Sequence, residues 1–224
     1  MESLFVSGTD TDVGKTYVAA GLAAAFHGRG IDVGVMKPFA AGDAQKTGFK
    51  SLDAQILASA AHTNDPEHLV NPQFFPIPAS PYTAWKNLGI KAEVETALSS
   101  FEKLEEIHQT VIVEGMGGIM TPIRSNYCMA DMIKDMGIPA VIVASGRIGT
   151  INHTVLTANA CKKYEIPVKG IIINRYDGGY DADELGRDLH DLLGVDVLGV
   201  VPHISLDDDL PRIFSECLDL DRLV

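Results

Sequence analysis

The stretch Gly8-Thr9-Asp10-Thr11-Asp12-Val13-Gly14-Lys15-Thr16 constrains this chain more than any other. The apolar run Leu4-Phe5-Val6 precedes it, and Tyr17-Val18-Ala19-Ala20-Gly21-Leu22 follows. The pattern reads as strand, glycine-bounded loop, helix. Such a loop turns backbone N–H groups onto phosphate oxygens, and the helix start behind it adds partial positive charge. Lys15 is placed to reach terminal phosphates, and the Thr16 hydroxyl to face Mg²⁺. The usual motif has about four residues between its first glycine and Gly-Lys-Ser/Thr. Here there are five, Thr9 to Val13, so the loop is a lengthened variant. The plain alternative, a glycine-rich turn capping a helix, does not account for the strand before it.

Hydrophobic patterning along the rest of the chain predicts a repeated strand–helix alternation. Strands are expected at 3–7, 31–36, 110–113, 140–143, 168–173 and 197–201. Helices are expected at 15–29, from Ser51 onward, and at 91–108, 129–136, about 151–164 and 181–193, with a short helix or coil at the end. The stretch from Lys37-Pro38 to about residue 50 reads as a glycine-rich loop. Residues 63–82 hold five of the eleven prolines but also Phe74, Phe75 and Tyr82, so they read as an irregular excursion and not as a solvated linker. The 91–108 helix, rich in glutamate, reads as largely exposed.

Most of these strands are continuous apolar runs. Both faces are then buried, which predicts an α/β fold with a parallel β-sheet flanked by helices. Ligands in such sheets bind at the carboxyl edge of the strands. Gly8–Thr16, Lys37, Glu114, Ser145–Thr150, Asn174 and Pro202 all follow strands, so they are expected along one edge.

With 224 residues, a single domain over 1–224 is expected. The formal net charge of −12 gives no general attraction to nucleic acid or anionic membrane. Any bound anion must be held by local dipoles and placed lysines, Lys15 and Lys37 first. No apolar run reaches the roughly 18 residues a membrane helix needs, and no leader pattern is present. Cys128, Cys161 and Cys217 match no zinc or disulfide spacing, so a cytoplasmic setting is expected.

Mg²⁺ takes hard oxygen ligands and usually only one or two carboxylates. Glu114 ends an apolar strand beside Gly115, Gly117 and Gly118, where a ligand can approach the backbone closely. Asp53 lies early on a helix, a place the helix dipole favours for a carboxylate in any case. On residues alone, Lys37 reads either as a solvated strand-end charge or as a cation facing the phosphates.

Gly-Thr-Asp-Thr-Asp-Val-Gly-Lys-Thr, Lys37-Pro38 with Gly42, Asp53, Glu114-Gly-Met-Gly-Gly, Gly149-Thr150-Ile151-Asn152-His153 and Asn174 together resemble the dethiobiotin synthetase family, in order, from about residue 3 to 204. That family has a P-loop NTPase-like domain. It is an ATP-dependent cyclo-ligase of biotin biosynthesis that joins CO₂ to 7,8-diaminononanoate and closes a ureido ring. The resemblance implies that Thr16, Asp53 and Glu114 hold the Mg²⁺–ATP. Asp12, Val13, Gly14, Lys15, Thr16 and Tyr17 wrap the phosphates. Lys37 is the catalytic lysine, with Lys15 assisting and Thr11 beside the diamine. Glu114, Gly115, Met116 and Gly117 border nucleotide and substrate, and Gly118 borders the substrate. Asn174 reads adenine, with Arg175, Pro202, His203 and Ile204 as the remaining base-side wall. Gly149, Thr150 and Asn152 receive the substrate carboxylate from a partner subunit, which implies a homodimer. Where the family often has a serine that contacts the substrate, this chain has Ala41. Met116 stands where a smaller residue is common.

Two other classes fit parts of the pattern. A partitioning-type nucleotide-switch ATPase usually carries a second lysine after the first loop glycine, where this chain has Thr9. An amide-forming ligase acting on a corrinoid generally appends a glutaminase domain, for which 224 residues leave no room.

Overall fold

A computed structural model describes residues 2–176 and 181–223. Six parallel strands form the central sheet: β1 (Leu4–Gly8), β2 (Val33–Met36), β5 (Thr110–Gly118), β8 (Ala140–Ser145), β9 (Val168–Tyr176) and β10 (Val197–Pro202). Their order is β10-β9-β8-β1-β5-β2. β1 therefore sits between β8 and β5, where the strand order reverses direction, and the glycine loop leaves from that crevice.

Side chains alternate between the two faces of the sheet. Leu4, Val6, Ile112, Val141, Val143 and Ile172 bury against α1 (Lys15–Gly28), α2 (Leu52–Ala61) and α9 (Leu210–Cys217). Phe5, Val111, Val113, Ile142, Ile171 and Ile173 bury on the opposite face. There they meet α5 (Val94–Ile107), α6 (Met129–Met136), α7 (Thr150–Lys163) and α8 (Ala182–Leu193). The continuous apolar runs are thus two interleaved period-2 patterns, each serving its own core. Close packing is visible at Gly21 of α1, where a Cβ would come within 2.1 Å of the Phe214 ring of α9.

Several boundaries differ from expectation. β2 begins at Val33, because Asp32 is held by the side chain and backbone of Gln109 (2.9 and 3.1 Å). β5 runs on through Glu114 to Gly118, because β1 pairs with it as far as Gly8↔Gly118. β9 likewise continues past Asn174 to Tyr176. Glu114 and Asn174 are therefore strand residues, not the first residues of loops. α5 is amphipathic: its glutamate-rich face is exposed as expected, and it buries Val94, Ala97, Ser100, Phe101 and Leu104 on the other side.

The loop after Lys37 and the proline-rich excursion prove to be one subassembly. β3 (Phe39–Ala41) pairs in parallel with β4 (Gln73–Phe75). α3 (Glu67–Val70) precedes β4, and α4 (Pro81–Leu88) follows it. Ser80 caps α4 by accepting from Thr83 N at 3.2 Å, and Pro81 occupies the first turn, where its missing N–H costs nothing. A small antiparallel pair, β6 (Pro122–Arg124) and β7 (Tyr127–Cys128), closes the other side.

Candidate active site

The phosphate loop is shaped by backbone conformation and by the end of β9. Asp12 and Gly14 have positive φ, 58° and 86°. A Cβ on Gly14 would come within 2.1 Å of Asn174 Nδ2, so no other residue fits without a shift. Asn174 Nδ2 donates to the Val13 carbonyl at 2.8 Å, and Arg175 donates to the Asp12 carbonyl at 2.9 Å. The first-turn N–H groups of α1, with no partner inside their own helix, face the mouth of the loop. Lys15 is buried and donates from Nζ to the Asp10 carbonyl at 2.9 Å. Burial, and then the nearby Lys37 charge, bring the Lys15 pKa down to about 8.

Strand register explains the second half of the site. β2 pairs with β5 through Met36↔Val113, so Lys37 and Glu114 stand side by side, one residue further on. Glu114 shares the face of Ile112, the side on which α1 and α2 pack. Its Oε1 accepts from Lys37 Nζ at 2.5 Å and from Thr16 Oγ1 at 2.8 Å. Lys37 Nζ is also 3.0 Å from Asp53 Oδ2 at the start of α2. Burial alone would lower the Lys37 pKa, but Glu114 and Asp53 outweigh it and hold it raised. Burial pushes the Glu114 carboxyl upward against the pull of Lys37.

These groups line a cavity of about 830 Å³. Thr11, Asp12, Gly14, Lys15, Thr16 and Tyr17 form its floor, with Lys37, Asp53 and Glu114 on one side. Ala41, Met116, Gly117 and Arg175 also line it. Val13, Gly115 and Asn174 lie behind this surface, buried. Pro202, His203 and Ile204 follow from the end of β10, next to β9, outside the lining of this cavity. Gly149, Thr150 and Asn152 are at the N-terminus of α7, also outside it. Gly118 borders a separate hollow with His153, Leu156 and Thr157 of α7.

Sequence reasoning missed part of the wall. Leu52 and Ile56 of α2, Pro78-Ala79-Ser80 and Thr121-Pro122 all contribute to it. The Ser80-Pro81 pair is a readable helix-start signature that could have located α4 and its lip. Leu52 and Ile56 lie on the helix expected after Ser51, beside Asp53, whereas Pro78-Ala79 and Thr121-Pro122 carry no local signal that would bring them to the cleft.

The donor set fits a nucleotide-borne divalent cation. Glu114 Oε2 is buried and has no hydrogen-bond partner, while Oε1 of the same carboxylate accepts from the Thr16 hydroxyl and from Lys37, which also contacts Asp53. Among the described residues no cluster of three or more His, Cys, Asp or Glu could cage a metal unaided.

Residues 2–208 match the family model described as an AAA domain. The chain is 59% identical over 227 residues to ATP-dependent dethiobiotin synthetase BioD of Nitrosopumilus maritimus (strain SCM1), covering 100% of both. It is 40% identical over 213 residues to the enzyme of the same name from Bacillus licheniformis, covering 94% of this chain and 89% of that one. Among solved structures it is similar to the septum site-determining protein MinD, complexed with Mg-ADP, from Pyrococcus horikoshii OT3. That match has a TM-score of 0.56, 16% identity, and coverage of 96% and 93%. A ParA family ATPase from Chlorobium tepidum TLS matches with a TM-score of 0.53 and 16% identity, covering 95% of this chain and 90% of that one. At that identity, the two structures speak for the P-loop fold alone.

Proposed function

The chain belongs to the ATP-dependent dethiobiotin synthetase family, and from that premise we propose that it joins CO₂ to 7,8-diaminononanoate with ATP, giving dethiobiotin, ADP and phosphate. One amine of the diamine adds to CO₂ and loses a proton, forming a carbamate. A carbamate oxygen attacks the γ-phosphorus, and ADP leaves. The neighbouring amine then attacks the carbonyl of the carbamic–phosphoric anhydride, and phosphate departs with that carbamate oxygen as the ring closes.

Phosphoryl transfer asks mainly for positioning and charge neutralisation. The loop N–H groups and Lys15 hold the phosphates. The Lys37 ammonium stands beside them, and Thr11 borders the diamine. Thr16, Asp53 and Glu114 would hold Mg²⁺, which on binding supplies neutralisation of the β- and γ-phosphate charge. Asn174 Oδ1 is buried without a hydrogen-bond partner, which supports its use as an acceptor from the adenine amino group. Arg175 and the Pro202-His203-Ile204 segment complete the base side.

The same reading makes the protein a homodimeric, single-domain cytoplasmic enzyme with no nucleic-acid or membrane partner. Gly149, Thr150 and Asn152 take the substrate carboxylate across the dimer. Ile148 and Leu156, 89% and 62% exposed beside that helix start, support an interface there. Cys128, Cys161 and Cys217 are free. Among the described residues, no helix is long and apolar enough to cross a membrane.

The observation that carries this reading is the Lys37–Glu114–Asp53 cluster opening into the same cavity as Lys15 and Thr16. Purified protein given Mg²⁺–ATP, bicarbonate and 7,8-diaminononanoate should yield a ring-closed product by mass spectrometry. ADP release without that product, or no response to the diamine, would overturn the reading.

A further inference from the structure

We propose that Asn71 is a positioning residue for Lys37: its side-chain amide replaces a backbone hydrogen bond that Pro72 removes. This rests on the reading of Lys37 given above. The parallel pair β3–β4 has the register Phe39↔Gln73, Ala40↔Phe74, Ala41↔Phe75. Extended two residues back, it sets Lys37 opposite Asn71 and Pro38 opposite Pro72. In a parallel ladder each such residue uses its N–H toward one neighbour of its partner and its C=O toward the other. Lys37 N does donate to the Val70 carbonyl, at 2.7 Å. The Lys37 carbonyl would accept from the N–H of residue 72, but proline has none.

Asn71 fills that gap. Its Nδ2 donates to the Lys37 carbonyl at 2.6 Å and to the Gln73 carbonyl at 3.3 Å. Two acceptors on that side fix the orientation of the amide, since its oxygen there would face two carbonyls. Asn71 is only 5% exposed, and its own N–H donates to the Glu67 carbonyl at 2.7 Å. The peptide on each side of Lys37 is thus held from one short segment, Val70–Asn71. Fixing both peptides fixes the direction of the Cα–Cβ bond, and with it the reach of Nζ toward the cleft. The proline-rich excursion is therefore the brace for the lysine at the end of β2. A side chain does the work there because Pro72 offers no N–H to the Lys37 carbonyl.

The test is a rescue. Asn71→Leu keeps the volume and removes the donor. Asn71→Asp also keeps the volume and turns only acceptors toward the two carbonyls. Pro72→Ala restores a backbone N–H. Dethiobiotin formation is measured for the wild type, N71L, N71D, P72A and N71L/P72A, with KM for ATP and melting temperature alongside. N71L or N71D, whichever melts close to the wild type, should lower kcat tenfold or more with KM for ATP within twofold. N71L/P72A should regain most of that loss, and P72A alone should stay within threefold of the wild type. An unchanged kcat in N71L and N71D, a loss confined to KM, or no rescue by Pro72→Ala would overturn the proposal. A wild type without ring-closed product sinks the functional reading instead. The clamp is then decided by mass-spectrometric amine labelling, which needs no turnover. Lys37, relative to Lys15, should label several-fold faster in N71L and return to the wild-type rate in N71L/P72A. Equal labelling in all forms refutes the clamp.

Discussion

Replacing Lys37 with methionine removes the ammonium and keeps most of the stem. In the native site that ammonium contacts Glu114 Oε1 at 2.5 Å, Asp53 Oδ2 at 3.0 Å and the Gly115 carbonyl at 3.4 Å. Loss of one preorganised donor costs about 2.7–4 kcal/mol of transition-state stabilisation, so kcat should fall roughly 100- to 1,000-fold. Stability responds differently. Breaking a buried ion pair costs about 3–5 kcal/mol when the remaining charge cannot escape. Glu114, 1% exposed, can escape by binding a proton, because burial already pushes its carboxyl upward. Asp53 is 43% exposed and stays solvated.

The pH dependence has a definite sign. In the variant, folded Glu114 binds more protons than unfolded Glu114 between their two pKa values, so stability falls as pH rises through that window. Urea midpoints measured at low and high pH should therefore diverge more for Lys37→Met than for the wild type, with the variant losing most at high pH. Product formation by mass spectrometry gives kcat. A rate within threefold of the wild type would refute the catalytic role. A wild-type pH slope would refute the assigned burial of Glu114.

Other expectations follow from the same geometry. kcat/KM for ATP should fall as pH rises through about 8, because free Lys15 loses its proton there; saturating ATP should move this limb upward in kcat. A pH-independent kcat/KM up to 10 would contradict the burial of Lys15. Gly14→Ala must hold a positive φ of 86° and push Asn174 aside, so calorimetry should show ATP affinity lowered tenfold or more with an unchanged circular dichroism spectrum. Away from the cavity, burial lowers the His108 pKa, but hydrogen bonds to Asp32 and Asp65, each 2.9 Å, outweigh it and hold it raised. The stabilisation is present below the unfolded pKa of histidine, about 6.5, and fades as pH rises through the folded value. His108→Ala should flatten that part of the urea-midpoint profile.

Much of the site was legible because its parts sit at the carboxyl edge of apolar runs. Once the sheet is parallel, Gly8, Lys37, Glu114 and Asn174 must gather at that edge. The run lengths misled at Glu114 and Asn174, since pairing with β1 and β8 carries both strands into residues of low strand propensity. The β3–β4 and β6–β7 pairs were invisible for a different reason. Strands of two or three residues show no periodicity, and the prolines around them read as loop. The role of Asn71 could not be read at all without register, because it answers a hydrogen bond that Pro72 fails to make.

Transfer of oxygen from CO₂ to phosphate tests the centre of the account most directly. Bicarbonate labelled with oxygen-18, given to the enzyme with the diamine and Mg²⁺–ATP in a short incubation, should place one heavy oxygen in each phosphate released and none in ADP. Phosphate carrying solvent oxygen instead, with ring-closed product formed, would mean that no carbamate oxygen attacks the γ-phosphorus in this cavity.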